Sequence, residues 1–283
     1  MQSLWMIAAS FLFACMGVCV KLAAATHSAV EITFYRSFIA LILMFGLVRL
    51  RGVSLKTAHW QWQITRGVVG FSALFAYFYA ITLLPLATAV TLNYTSAIFL
   101  ALYLALAGWR LRIGMLGALC IGLAGVALLL KPSLQADQLL PGLIGLGSGA
   151  MAGMAYFSVR ELGARGESET RTVFYFSLVA TVCSLLWLGF GEIHPVDRES
   201  GLILFGVGGF ATLAQLAMTR AFTRGKTLMS ASLAYSTVIF SSLFGMLFWG
   251  EVLSASAWMA IGLIILSGIV ATHFSRASPV EQD

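Results

Sequence analysis

Residues 91–96 read TLNYTS, and they interrupt an oily run, LATAVTLNYTSAIFLALYLALA, at 86–107. A second oily run, LMSASLAYSTVIFSSLFGMLF at 228–248, carries a similar interruption. A helix of about 20 residues crosses a ~30 Å hydrocarbon core. Polar side chains are costly inside such a helix, so two matching interruptions need a physical reason.

Composition sets the frame. The chain of 283 residues is 60% hydrophobic and only 10% charged. A soluble domain carries about 25% charged residues to wet its surface. Too little charge is present for that, and a polytopic membrane protein follows. Ten apolar runs are long enough to span: 4–25, 30–48, 64–84, 87–107, 113–130, 142–159, 173–191, 202–222, 228–249 and 253–273. None alternates with a period of two, and each is about twice a barrel strand. The backbone amides must then pair within each segment, so helices are expected throughout. The first run ends in KLAAATHSA, whose small residues mimic a cleavage site, but residues 1–6 hold no basic residue. A retained first helix is the better reading. Cys15, Cys19, Cys120 and Cys183 all fall within runs and read as small packing residues.

The basic residues orient the chain. With ten spans, thirteen of the 17 Lys and Arg fall on the face that holds both termini. Only Lys21, Arg36, Lys131 and Arg198 fall on the other. The positive-inside rule makes the heavier face cytoplasmic. The net charge of +6 therefore signals topology, and no nucleic-acid partner is expected. The break KPSLQADQLLPG at 131–142 divides five spans from five.

The two interruptions belong to a repeat. At an offset of 141, Tyr94 meets Tyr235, Leu92 meets Leu233, Ile98 meets Ile239 and Phe99 meets Phe240. Thr91 and Thr95 meet Ser232 and Ser236, and with a small gap Gly108 meets Gly250. A second copy of a five-helix unit must enter from the opposite face. The fold class expected is thus all-α, with ten transmembrane helices as two inverted five-helix repeats, an architecture of secondary transporters. The boundaries expected are 1–131 for the first repeat, 132–141 for a linker, 142–275 for the second repeat and 276–283 for a cytoplasmic tail.

The chain resembles the ten-helix, EamA-type branch of the drug/metabolite transporter superfamily. The resemblance rests on Gly17, Lys21 and Arg36 in MGVCVKLAAATHSAVEITFYRS, and on Gly250, Glu251 and Gly268 in FWGEVLSASAWMAIGLIILSGIV. It covers essentially the whole chain and implies a metabolite exporter or permease. Trp109 stands where the first half of that pattern carries an acid, and Tyr175 stands where the second half would answer Arg36. The prolines common in the fourth and ninth helices are replaced by Ala97 and Val238 in those neighbourhoods. The residues therefore give no warrant for a proline kink.

Polar side chains within spans turn away from lipid. The expected cavity lining is Thr91, Asn93 and Tyr94 on the fourth span, with Ser232, Tyr235 and Ser236 on the ninth. Tyr79, Tyr156 and Gln215 join from the third, sixth and eighth spans. The competing reading for each Ser and Thr is a hydrogen bond that glues helices. Lys21, Glu31 and Arg36 are the charged pathway candidates. Arg36 lies about 9 Å into its span, where it pairs with Glu31 or meets an anionic group of the solute. Gly145, Gly149 and Gly153 recur every four residues, which suits close helix packing.

No Asp, Glu or His falls near the middle of a span, so a central proton relay, a metal set and a cofactor are not expected. The function expected is an inner-membrane transporter of a small neutral or zwitterionic metabolite, such as an amino acid, by alternating access. Membrane lipid surrounds it, as monomer or homodimer. An intramembrane enzyme lacks a paired nucleophile and base, and an ion channel lacks a filter segment or acidic ring.

Overall fold

A computed structural model describes residues 2–84, 86–130, 138–189, 194–250, 252 and 254–276. Lys131, Glu251, most of the expected linker and nearly all of the expected tail lie outside those residues. After a 3₁₀ turn at Gln2–Leu4 come α1 (Trp5–Ala23), α2 (Ala29–Leu50), α3 (Trp60–Leu83), α4 (Leu86–Tyr94), α5 (Ser96–Leu106) and α6 (Ile113–Leu130). The second half holds α7 (Leu139–Ala164), α8 (Glu169–Leu188), α9 (Arg198–Arg224), α10 (Thr227–Ala234), α11 (Ser236–Trp249) and α12 (Ala255–Arg276). No strand occurs among the described residues.

Among the described residues, nine helical stretches are long and apolar enough to cross a membrane. They include Ala89–Leu106, which joins α4 to α5, and Thr227–Trp249, which joins α10 to α11. The 24-residue α3 (Trp60–Leu83) is a further long helix outside these nine. The surface inverts the soluble pattern. Ile42, Leu186, Leu202 and Ile269 are all more than half exposed, whereas Ser10, Ser148, Ser184 and Ser267 are completely buried. Several buried hydroxyls are held by helix carbonyls. Ser177 donates to Val173 O at 2.9 Å, Thr181 to Ser177 O at 2.7 Å and Ser184 to Ala180 O at 2.6 Å. In lipid that is how a polar side chain becomes tolerable.

The helices pack across the halves. The main contacts are α3 with α7, α1 with α9, α2 with α8 and α6 with α12. One large buried cluster takes Met6 from α1, Leu100 from α5, Leu119 from α6, Val159 from α7, Phe222 from α9 and Tyr235 from the α10–α11 junction.

Both helices that carry a polar interruption break at it, without proline. Thr95 separates α4 from α5, and its hydroxyl donates to Leu92 O at 2.5 Å while its N–H reaches the same carbonyl at 3.2 Å. Tyr235 separates α10 from α11, and Ser236 donates to Leu233 O at 2.7 Å. Thr95 and Leu92 answer Ser236 and Leu233 at the offset of 141. A tight i−3 turn braced by a hydroxyl bends the helix where proline is absent. Each broken helix also stops on a left-handed glycine, Gly108 (φ 87°) and Gly250 (φ 65°). A side chain is strained in that backbone conformation, so glycine ends both helices in the same way.

Glu31 corrects one expectation. It does not pair with Arg36. Its carboxylate accepts the Ser28 N–H at 2.7 Å in a capping box at the start of α2. It also accepts the His194 N–H at 2.6 Å and meets His194 Nδ1 at 2.9 Å. Glu31 is fully buried whereas the His194 side chain is half exposed, so loss of the carboxylate is felt most at the α2 cap. Glu31→Ala is expected to cost about 2–4 kcal/mol, the sum of a lost cap and stranded donors. A lowered melting midpoint in detergent, with Glu31→Gln falling less, is the readout.

Candidate functional site

The interior between α2, α8 and α9 holds a narrow cavity. Arg36, Ser37, Phe176, Ser177, Thr212 and Gln215 line it, with Ala40, Val173 and Ala211. Its volume is about 10 Å³, roughly the space of a single water. Small-molecule sites run from roughly 300 to 1,000 Å³, so the chain is closed around this point.

Arg36 lines the cavity, and a second basic residue, Arg66, packs on Phe176, one of its wall residues. Arg36 lies about 10 Å along α2 and Arg66 about 9 Å along α3, at 1.5 Å per residue. Arg66 is only 3% exposed, its guanidinium lies 4.2 Å from the Phe176 ring, and its Nε has no hydrogen-bond partner. Arg36 and Tyr156 both lie within electrostatic range of it. The Gln215 Oε1 is also buried without a partner. Tyr156 stacks on Phe222 at 4.9 Å with rings nearly parallel.

The interrupted helices meet at their tyrosines. The Tyr94 and Tyr235 rings are 5.9 Å apart. Tyr235 is completely buried and its hydroxyl has no partner. Asn93 donates to the Ser148 hydroxyl at 3.2 Å, joining α4 to α7, and Thr91 is buried nearby.

Other expected lining residues sit elsewhere. Tyr79 is 46% exposed and shares an outer stripe of α3 with Ile64, Val68, Phe75 and Leu83. Tyr77 is the tyrosine of α3 near Tyr94. Ser232 bonds Ser267 at 2.7 Å, and Ser267 donates to Ala118 O, which ties α10 to α12 and α6. Ser232 and Ser236 line a separate, open groove with Ile7, Ile264 and Ile269. Lys21 sits 3.9 Å from the Trp249 ring at the end of α1. Trp109, the departure from the family's acid, lies 3.9 Å from the Arg160 guanidinium.

Arg66 escapes sequence reading because it counts as a loop charge when the third span is begun at 64. The helix begins at Trp60 instead. One signal was available. Gly70 follows Arg66 by one helical turn, and an added Cβ there would strike the guanidinium.

These features belong to a known class of membrane protein. The model of the EamA-like transporter family matches residues 1–131 and 140–272. The chain belongs to that family, and it is a multi-pass membrane transporter rather than an enzyme. A pseudopaline exporter of Pseudomonas aeruginosa, CntI, is 35% identical over 268 residues, covering 94% of this chain and 93% of the relative. A riboflavin transporter of Vibrio cholerae is 23% identical over 280 residues, covering 96% of this chain and 93% of the relative. One solved crystal structure matches with a TM-score of 0.86 at 20% identity, covering 97% of this chain and 98% of its own, which speaks to the fold alone.

Proposed function

We propose that the chain is a secondary transporter of the bacterial inner membrane that exports a small metabolite by alternating access. In this reading it has ten spans, α3 being the tenth, arranged as two inverted five-helix halves joined near 132–141. Both termini are cytoplasmic, on the face that holds thirteen of the 17 basic residues.

The observation that carries the reading is the pair of hydroxyl-braced breaks. They occupy matching positions in the two halves, and their tyrosines touch. Packing supports the same symmetry. The contact of α3 with α7 answers that of α9 with α1. The contact of α2 with α9 answers that of α8 with α3, while α2–α8 and α6–α12 each pair with their own counterparts. A unit with an odd number of spans reverses direction when duplicated, and its substrate site falls between the copies. The two stretches matched by the family model fall on the two halves. Export is the direction given by the name of the Pseudomonas relative.

The test is flux. Purified protein in liposomes is presented with a broad panel of metabolites, and vesicle contents are read by mass spectrometry. At least one small polar solute is expected to cross faster than in protein-free vesicles. If none does, the transport reading fails for this panel's chemistry and for the cavity assigned here.

A further inference from the structure

Two contacts join one half of the chain to the other, each at the first turn of a capped helix. Ser28 caps α2 and Ser168 caps α8, and each hydroxyl accepts the N–H of the residue three positions on. Those residues are Glu31 and Arg171. Glu31 accepts the His194 N–H at 2.6 Å and meets its Nδ1 at 2.9 Å, in the connection between α8 and α9. Arg171 Nε donates to Ser54 O at 2.7 Å, in the connection between α2 and α3. With α2 answering α8 and α3 answering α9, the two contacts exchange places when the halves are exchanged. In the orientation proposed above, the first lies at the outer face and the second at the cytoplasmic face.

The two differ in chemistry. At the inner contact Arg171 Nη1 also donates to Glu167 at 2.7 Å, and the other oxygen of Glu167 accepts the Thr57 hydroxyl. Tyr175 adds a bond to Leu55 O at 2.7 Å. A guanidinium keeps its charge at every physiological pH. At the outer contact the donor is an imidazole, half exposed, on a fully buried carboxylate. Histidine is the side chain that changes charge between about pH 5 and 8. A neutral His194 gives Glu31 an ordinary hydrogen bond, whereas a charged one gives a charge-assisted bond roughly twice as strong.

Three other groups bear on His194. His27, buried in the α1–α2 turn, has its ring 6.4 Å away and its Nδ1 2.8 Å from the Thr26 hydroxyl. A charge on His27 would oppose one on His194. Asp197 lies within electrostatic range of His27 and is engaged by Ser200 at the cap of α9. Arg198 follows it and is exposed.

We propose, resting on the transport reading above, that Glu31 with His194 and Arg171 with Ser54 are the outer and inner gate latches of the transport cycle, and that pH sets the outer one through His194. A proton shifts a conformational equilibrium by binding one form more tightly. The form shut to the outside is the one that holds charged His194 against Glu31. Acid outside therefore favours that form, and alkali favours the outward-open one. The inner latch does not follow pH over this range. Both latches are made in this structure, so it is the form closed at both faces.

The experiment reads the latches without any solute. Deuterium uptake by full-length protein in lipid nanodiscs is followed by mass spectrometry at about pH 5.5 and about pH 8, with rates corrected for the chemical pH dependence of amide exchange. The first turn of α2 and residues 194–197 report the outer latch. The first turn of α8 and residues 54–57 report the inner one. Outer amides are expected to exchange about five- to tenfold faster at the higher pH, the difference between a charge-assisted bond and a neutral one. Inner amides are expected to exchange alike at both. His194→Gln is expected to exchange fast at both pH values, and His194→Arg, a permanent cation on the same carboxylate, slowly at both. His27→Gln should respond as wild type does, and Arg171→Gln should loosen the inner amides alone. In the flux assay, His194→Arg is expected to export about fivefold more slowly than wild type at the higher outer pH. Equal outer exchange at both pH values in the wild type overturns the pH assignment and depends on no variant folding. A response that persists in His194→Gln, or is lost in His27→Gln, also overturns it. Exchange as expected with undiminished flux in His194→Arg makes the contacts static clasps rather than gates. No flux from the wild type sinks the transport reading and the gate role with it, whatever the exchange shows.

Discussion

Gly149→Val is expected to remove folded protein from the membrane, whereas Gly147→Val leaves yield and melting midpoint unchanged. The two positions lie half a turn apart on α7. A Cβ at Gly149 would sit 2.6 Å from the carbonyl oxygen of Leu92 and collide with the Thr95 hydroxyl. Neither atom is free to yield. That carbonyl already accepts two hydrogen bonds from Thr95, and they hold the α4–α5 break. Gly153 repeats the constraint one turn on, 2.8 Å from Ser96 O. A Cβ at Gly147 meets nothing within 4 Å. Overpacking a well-packed interior costs about 1–3 kcal/mol and occasionally more, and valine sets three carbons against atoms that cannot move. Helix association in lipid has no hydrophobic drive to absorb the loss, because tails are as apolar as side chains. Size-exclusion profiles of the two variants, extracted and heated in parallel, are the readout. Equal profiles would mean that α7 does not pack closely on the break.

The helices were legible in the sequence because lipid permits only one economical backbone, and hydropathy reports length directly. The Gly145–Gly149–Gly153 stripe was legible for the same reason that it works, since a small residue every turn makes a flat face. The break at Tyr235 was not legible as a break, because its device is a hydroxyl turning back on its own helix and no proline marks it. The partner of Glu31 lies 163 residues away, and nothing local points to it. Arg36 was assigned a local acid, because sequence spacing sees only neighbours on one helix. Arg66 was counted with the loops, since a four-residue error in a helix start moves a side chain by about 6 Å. The choice between Tyr77 and Tyr79 turns on about 200° of helical rotation, which a span with aromatic residues on several sides cannot specify by periodicity.

Tyr235→Ala and Tyr235→Phe are expected to move stability in opposite directions. Tyr235 is among the largest completely buried side chains. Its ring lies against α6, where a Cβ on Gly122 would collide with it, and against Tyr94 at 5.9 Å. Truncation to alanine empties that space at the hinge between α10 and α11, and aromatic-to-alanine changes in cores cost about 3–5 kcal/mol. The phenylalanine variant keeps the ring and removes a hydroxyl that has no partner. An unsatisfied buried donor costs about 1–3 kcal/mol, so Tyr235→Phe is expected to melt at or above wild type. A hydroxyl held at that cost earns its place only when another state supplies its partner, either a bound solute or the opened form of the break. Flux should then fall in Tyr235→Phe while stability holds. Tyr94→Phe is the control, since Tyr94 is only partly buried. A Tyr235→Phe protein that is more stable and transports at the wild-type rate would reduce the paired interruptions to helix packing.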